Sequence, residues 1–308
     1  MNDGSSQNIS CENITDFKTN IYVPTYIIVF IFGFIENILC LYVFLKLYKK
    51  KTAMSIVMVN LAISDLLFVC TLPWRVHYYW KRLWTLSDSF CEFLFYALYL
   101  NMYCSIYFLT LMSILRYFAI VHPIKCLKFR RVKYVQIICI AIWVFVAAAA
   151  SPILRVGSKT NKTQCFQVND ETNISTMNLI SLPVGFFLPF FISTVSYIFV
   201  VKTLLTSKAK HHKQISSRRK AVAMIIIVMT IFLTIFLPYH ILRTVFITRT
   251  SQASCFVHKG AVVTQCAAAI NSCLNPLLYY FAAENFREKL RNIVENAFRG
   301  CPTLMLET

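Results

Sequence analysis

Apolar residues in this 308-residue chain gather into seven long stretches separated by short polar gaps, rather than recurring at the interval of a half-buried surface helix. The stretches begin near Ile21, Met54, Cys91, Tyr134, Leu179, Ala221 and Ala261. Each offers the roughly 20 apolar residues that a ~30 Å hydrocarbon core demands at about 1.5 Å of rise per residue. They predict an all-α membrane protein, a seven-helix bundle over residues 22–282, with residues 1–21 as an outer segment and 283–308 as a tail. In the tail, Phe286, Leu290, Ile293 and Val294 share one helical face, which predicts a short amphipathic helix on the inner leaflet. Cys301 beyond it is a site for palmitoylation or a plain tail cysteine.

Composition agrees, with 57% hydrophobic and only 14% charged residues. The connectors leave no room for a separate soluble catalytic domain, so function must lie between the helices or on the two faces. A net charge of +18 could suggest nucleic acid, but the cations stand at the ends of the apolar stretches. Lys46 and Lys49–Lys51 follow the first, Lys125 to Lys133 the third and Lys202 to Lys220 the fifth. By the positive-inside rule these gaps are cytoplasmic, so the N-terminus is outside and a nucleic-acid partner is not expected. The first seventeen residues are polar, and span one is expected to serve as its own uncleaved signal.

Two further signals fit that orientation. The sequons at Asn8, Asn13, Asn161 and Asn173 all fall in segments it makes extracellular. So do four of the twelve cysteines, Cys11, Cys91, Cys165 and Cys255, or lie beside such segments. Four cysteines in an oxidising compartment allow three pairings, and the sequence by itself does not choose among them.

Inside the spans, Asp65 is an acid in an apolar helix, where a charge costs about 2.5–3.5 kcal/mol or more, so it needs partners. Asn101, Ser105, Asn271 and Asn275 are the candidates. Pro189, Pro238 and Pro276 each remove a backbone hydrogen bond from a long helix and permit a kink. Arg75 in span two and His240 with Arg243 in span six stand near the outer ends, among Tyr26, Tyr99, Tyr103 and Tyr239. Cations converging on an aromatic-walled pocket ask for an anion.

The chain resembles the rhodopsin-like, class A G protein-coupled receptors along essentially its whole length. Asn37, Asn60-Leu61-Ala62-Ile63-Ser64-Asp65, Trp143, Pro189, Phe236-Leu237-Pro238-Tyr239 and Asn275-Pro276-Leu277-Leu278-Tyr279 look like that family's signatures in helix order. The resemblance implies a plasma-membrane receptor that couples to heterotrimeric G proteins and arrestin and needs no catalytic cofactor. It also implies a structural sodium ion at Asp65, Asn101, Ser105, Asn271 and Asn275. Activation would run through Arg116, Tyr117, Phe236, Pro238, Pro276 and Tyr279, and disulfides would join Cys91 to Cys165 and Cys11 to Cys255. The sequence departs from the family in Leu115 before Arg116, where an acid is usual, in Glu36 before Asn37, and in Phe236 in place of the commoner tryptophan.

Leu98 and Tyr99 stand where amine receptors of the family carry an aspartate, which disfavours an amine. Tyr239-His240-Ile241-Leu242-Arg243-Thr244 and Leu72-Pro73-Trp74-Arg75-Val76-His77-Tyr78-Tyr79 are similar to the subgroup of cysteinyl leukotriene and purinergic receptors, and favour its leukotriene branch. The implied ligand is an acidic lipid held by Arg75 and Arg243, with a nucleotide as the alternative. A triphosphate would want more than two or three cations, whereas a lipid wants an apolar slot. A transporter should show internal repeats or paired broken spans, and a metal hydrolase clustered ligands; the sequence has neither.

Overall fold

The computed structural model of the chain describes residues 14–48, 50–123, 131–156, 165, 171–206, 212–248, 254–282, 286, 288–291 and 295. Regular structure among the described residues is helical. Seven helices are long and apolar enough to cross a membrane: Ile14–Leu47, Ala53–Lys81, Asp88–Val121, Val132–Ala150, Ser175–Thr206, Arg218–Thr248 and Cys255–Tyr280, here spans one to seven. Several begin before the apolar stretch does, because a helix leaving the hydrocarbon can carry polar residues and be capped there. Span three starts with Ser87 accepting a hydrogen bond from the Phe90 N–H at 3.3 Å. Span two starts with a reciprocal capping box between Thr52 and Ser55, at 3.1 and 2.9 Å.

Proline shapes three spans differently. Span two is two helices, Ala53–Val69 and Leu72–Lys81, with Pro73 in the first turn of the second, where its missing N–H costs nothing. In spans five and six the turn ahead of the proline widens instead. Ser181–Phe187 and Phe232–Phe236 are π-helical and precede Pro189 and Pro238. A wide turn admits one extra residue and makes room for the pyrrolidine ring, so part of the expected kink is met by local widening.

Span one packs on two and seven, and span three on two, four and five. Leu94, Phe108, Leu109 and Met112 of span three are fully buried. Ile28, Phe32, Ile137, Ile140 and Val144 are exposed, as suits side chains whose solvent is lipid. A Cβ on Gly33 would lie 3.1 Å from Val69 and 3.4 Å from Cys273, so a glycine lets spans one, two and seven approach. One turn below, Asn37 donates to the Gly33 carbonyl at 2.8 Å and to the Ser272 carbonyl at 3.0 Å.

Cys91 and Cys165 form a disulfide with Cα atoms 5.9 Å apart, tying the start of span three to the segment between spans four and five. Cys255 is disulfide-bonded as well; its expected partner Cys11 lies outside the described residues. So do Asn8, Asn13, Asn161 and Cys301, while Asn173 lies on the helix Glu171–Ile180. Of the tail, Phe286 stacks on Phe44 at 5.3 Å, and Lys289 donates to the Leu47 carbonyl with its ammonium 4.4 Å from the Tyr48 ring centre. Ile293 and Val294, on the expected apolar face, lie outside the described residues.

Candidate ligand site

A cavity of about 420 Å³ opens among spans three, four, five and six, within the range of small-molecule sites. Span three contributes Phe95, Tyr99, Tyr103 and Tyr107, all on one face because 95, 99, 103 and 107 recur every four residues. Spans four and five add mostly small and apolar side chains, among them Phe145, Val146, Ala149, Met177 and Val184. Among the described lining residues Arg243 alone is charged. Its guanidinium carbon is 4.7 Å from the centre of the Tyr99 ring, and Tyr103 and Tyr239 lie within its electrostatic reach. Phe145 and Val184 are 47% and 39% exposed, so the wall between spans four and five faces the bilayer. The result is an apolar slot with one cation.

The slot's depth is set by backbone. Tyr107 donates its hydroxyl to the Val184 carbonyl at 2.9 Å, inside the π-helical turn of span five. A Cβ on Gly185 would meet Tyr103 Cε1 at 2.6 Å, so the Tyr103 ring lies against span five only because residue 185 is glycine. Neither Tyr107 nor Gly185 was among the residues expected from sequence. Tyr107 had a readable signal, one helical turn beyond Tyr103; Gly185 had none without a partner across the gap.

Of the other expected ligand residues, Arg75 and Tyr26 lie elsewhere, whereas Tyr239 and His240 pack behind Tyr103 and Arg243. Arg75 is fully buried and donates to the Leu94 carbonyl of span three. It sits within electrostatic reach of Tyr22, Tyr26 and Tyr79. These rings form their own stack, with Tyr22 5.2 Å from Tyr26 and 4.5 Å from Tyr79. His240 is buried, donates from Nδ1 to the Phe236 carbonyl at 2.8 Å, and stacks on Phe186 at 4.6 Å; its Nε2 is without a hydrogen-bond partner among the described residues. Tyr239 is buried beside the cavity. The structure thus brings Tyr99, Tyr103, Tyr239, His240 and Arg243 together, and gathers Arg75 with Tyr26 around spans one, two and three.

Below the cavity the five expected polar residues are all buried. Asp65 accepts from Asn101 at 2.9 Å and from Asn275 at 2.8 Å, one on each carboxylate oxygen. Ser105 Oγ, Asn271 Oδ1 and Asn275 Oδ1 are buried without hydrogen-bond partners among the described residues. Nearby Glu36 also has a buried oxygen without such a partner, and nothing in the structure explains it.

Near the C-terminal end of span three Arg116, preceded by Leu115 rather than an acid, donates from Nε to the Met224 sulfur of span six at 3.2 Å. Tyr117 shares a hydrogen bond with His122 at 3.1 Å, and Ser113 with Tyr197 at 2.6 Å. Phe236 and Tyr279 are fully buried, and Tyr279 packs edge-on against Phe44 at 5.5 Å.

The sequence model of the 7 transmembrane receptor (rhodopsin family) matches residues 36–279. This chain belongs to that family. It is a receptor and not an enzyme, and coupling to G proteins comes with the family. Among curated relatives, the receptor is 42% identical to cysteinyl leukotriene receptor 2 of Sus scrofa over 298 residues, covering 94% of this chain and 86% of the relative. It is 40% identical to human cysteinyl leukotriene receptor 1, covering 91% and 86%. The human uracil nucleotide/cysteinyl leukotriene receptor is 35% identical, covering 92% and 79%.

Proposed function

We propose that this receptor responds to an acidic lipid mediator of the cysteinyl leukotriene class, at the plasma membrane with its N-terminus outside, and passes the signal to a heterotrimeric G protein and then arrestin. The observation that carries the reading is the apolar slot whose described lining residues include a single cation, Arg243. An acid headgroup on Arg243 and an acyl chain between spans four and five satisfy both ends of that cavity. A triphosphate would leave most of its charge unmatched. The relatives named for cysteinyl leukotrienes support the same class.

In this reading Arg243 contacts the anion and Arg75 braces span two against span three, with Tyr99, Tyr103 and Tyr239 as walls. Ligand-driven shifts in span six, pivoting at its wide turn and Pro238, favour the signalling state only by the ligand's differential affinity for the two states. Asp65 with Ser105, Asn271 and Asn275 offers one carboxylate and three buried oxygens still lacking partners, a donor set that suits a hard monovalent cation such as sodium. Asp65→Asn should abolish sodium sensitivity of agonist binding at unchanged surface expression; binding as sodium-sensitive as in the parent would remove the ion from the account.

Guanine-nucleotide exchange in membranes from cells expressing the receptor tests the ligand class. Cysteinyl leukotrienes should stimulate exchange and uridine or adenosine nucleotides should not. Stimulation by nucleotides alone would make the receptor a nucleotide sensor.

A further inference from the structure

A second groove, of about 620 Å³, lies at the opposite end of the bundle between spans one, two and four. Its floor and walls are apolar: Phe44 and Leu45 of span one, Ile56 and Val59 of span two, Ile137 and Ile140 of span four. Leu45, Ile137 and Ile140 are exposed, so the groove opens sideways into the hydrocarbon. Its mouth is polar, with Lys51 just ahead of span two, Lys133 in the first turn of span four, and Gln136.

Neither lysine has an ion-pair partner among the described residues. The sequence offers none nearby in the chain, because no Asp or Glu occurs between Glu36 and Asp65 or between Glu92 and Asp170. The positive end of span four also meets this mouth. Its N-cap is Arg131, whose side chain makes no capping hydrogen bond. Lys51 ahead of span two, Lys133 of span four and an uncapped helix start therefore converge above an apolar slot open to lipid. Among the described residues no carboxylate pairs with them, which leaves the mouth open to an anion from outside the protein.

We propose that this groove binds one anionic glycerophospholipid, its headgroup on Lys51 and Lys133 and an acyl chain along Ile137 and Ile140. Basic pockets between membrane helices suit such headgroups, and anionic lipids concentrate in the cytoplasmic leaflet. The position in that leaflet rests on the orientation given under the proposed function; the affinity itself does not. Bound there, the lipid bridges spans one, two and four.

Native mass spectrometry of the purified full-length receptor, titrated with palmitoyl-oleoyl phosphatidylserine or phosphatidylcholine, tests the proposal. One phosphatidylserine should bind per receptor in preference to phosphatidylcholine. The double variant Lys51→Gln/Lys133→Gln should bind it roughly 30-fold more weakly, which is about 2 kcal/mol at 1.4 kcal/mol per decade. Lys202→Gln/Lys220→Gln, the same charge loss on spans five and six, should bind as the parent does. Ile137→Trp, which fills the slot and leaves both lysines, should also weaken binding. Equal binding of the two lipids, an unchanged affinity in the first double variant, or an equal loss in the second would each overturn the site. The readout involves neither agonist nor orientation, so a failure here leaves the proposed ligand class standing, and a failed agonist screen leaves this site standing.

Discussion

Two arginines near the same end of the bundle, Arg75 and Arg243, each among tyrosines, end in different circumstances. Arg243 leans over Tyr99 at the edge of an apolar cavity. Arg75 is sealed among Tyr22, Tyr26 and Tyr79 with a backbone carbonyl as its partner. Residue type and depth are similar; what differs is whether space adjoins the guanidinium. A buried cation hydrogen-bonded across two spans can act as a strut, whereas one beside an open apolar slot has room to meet a ligand.

The largest effect expected from that contrast is on Arg243. Arg243→Ala should weaken a tritiated cysteinyl leukotriene by one to two decades, the ~1.5–3 kcal/mol of a charge-assisted hydrogen bond. Arg243→Lys should recover only part, since an ammonium lacks the two-pronged donor. Saturation binding at matched surface levels reads both. Arg75→Ala should instead appear as lost stability, because it removes the hydrogen bond to the Leu94 carbonyl and empties space inside the tyrosine stack. A deficit of about 1–3 kcal/mol should lower the melting temperature of the purified receptor. Loss of ligand affinity without any thermal change would erase the distinction between the two sites.

A smaller effect concerns the slot beneath Arg243. In Gly185→Ala the new methyl must displace the Tyr103 ring, and overpacking of this kind costs about 1 kcal/mol or more. Affinity for the long-chain acid should fall about fivefold, while a short acid that reaches only Arg243 should bind as before in competition assays. The smallest change is at the end of the bundle away from the cavity, at Arg116. Met224→Leu removes the sulfur acceptor of Arg116, worth at most about 1 kcal/mol, and basal guanine-nucleotide exchange should rise up to fivefold.

The seven spans were legible in the sequence because a bilayer accepts backbone only as long apolar helices, which leaves an unmistakable pattern. Asp65 and its asparagine partners were legible for a related reason: a polar side chain at that depth has to meet another. The direction of Arg75 was not. Trp74, His77, Tyr78 and Tyr79 flank it with amphipathic rings that suit lipid, headgroups or protein alike, so the sequence does not tell which neighbour Arg75 faces, and only the break before Pro73 fixes that. The wide turns of spans five and six were equally hidden, since a proline can be met by a kink or by an extra residue with the same local sequence. Gly185 matters through a contact with Tyr103, and Met224 through one with Arg116; each pair is far apart in the chain.

The central claim, that Arg243 rather than Arg75 reads the ligand's negative charge, is tested most directly by comparing a cysteinyl leukotriene with its carboxyl methyl ester. Competition binding of both on the parent, Arg243→Ala and Arg75→Ala receptors at equal surface expression yields a preference ratio for each. The account predicts a preference for the free acid of roughly tenfold or more in the parent. The preference should persist in Arg75→Ala and vanish in Arg243→Ala. A preference that survives in Arg243→Ala and disappears in Arg75→Ala would contradict it.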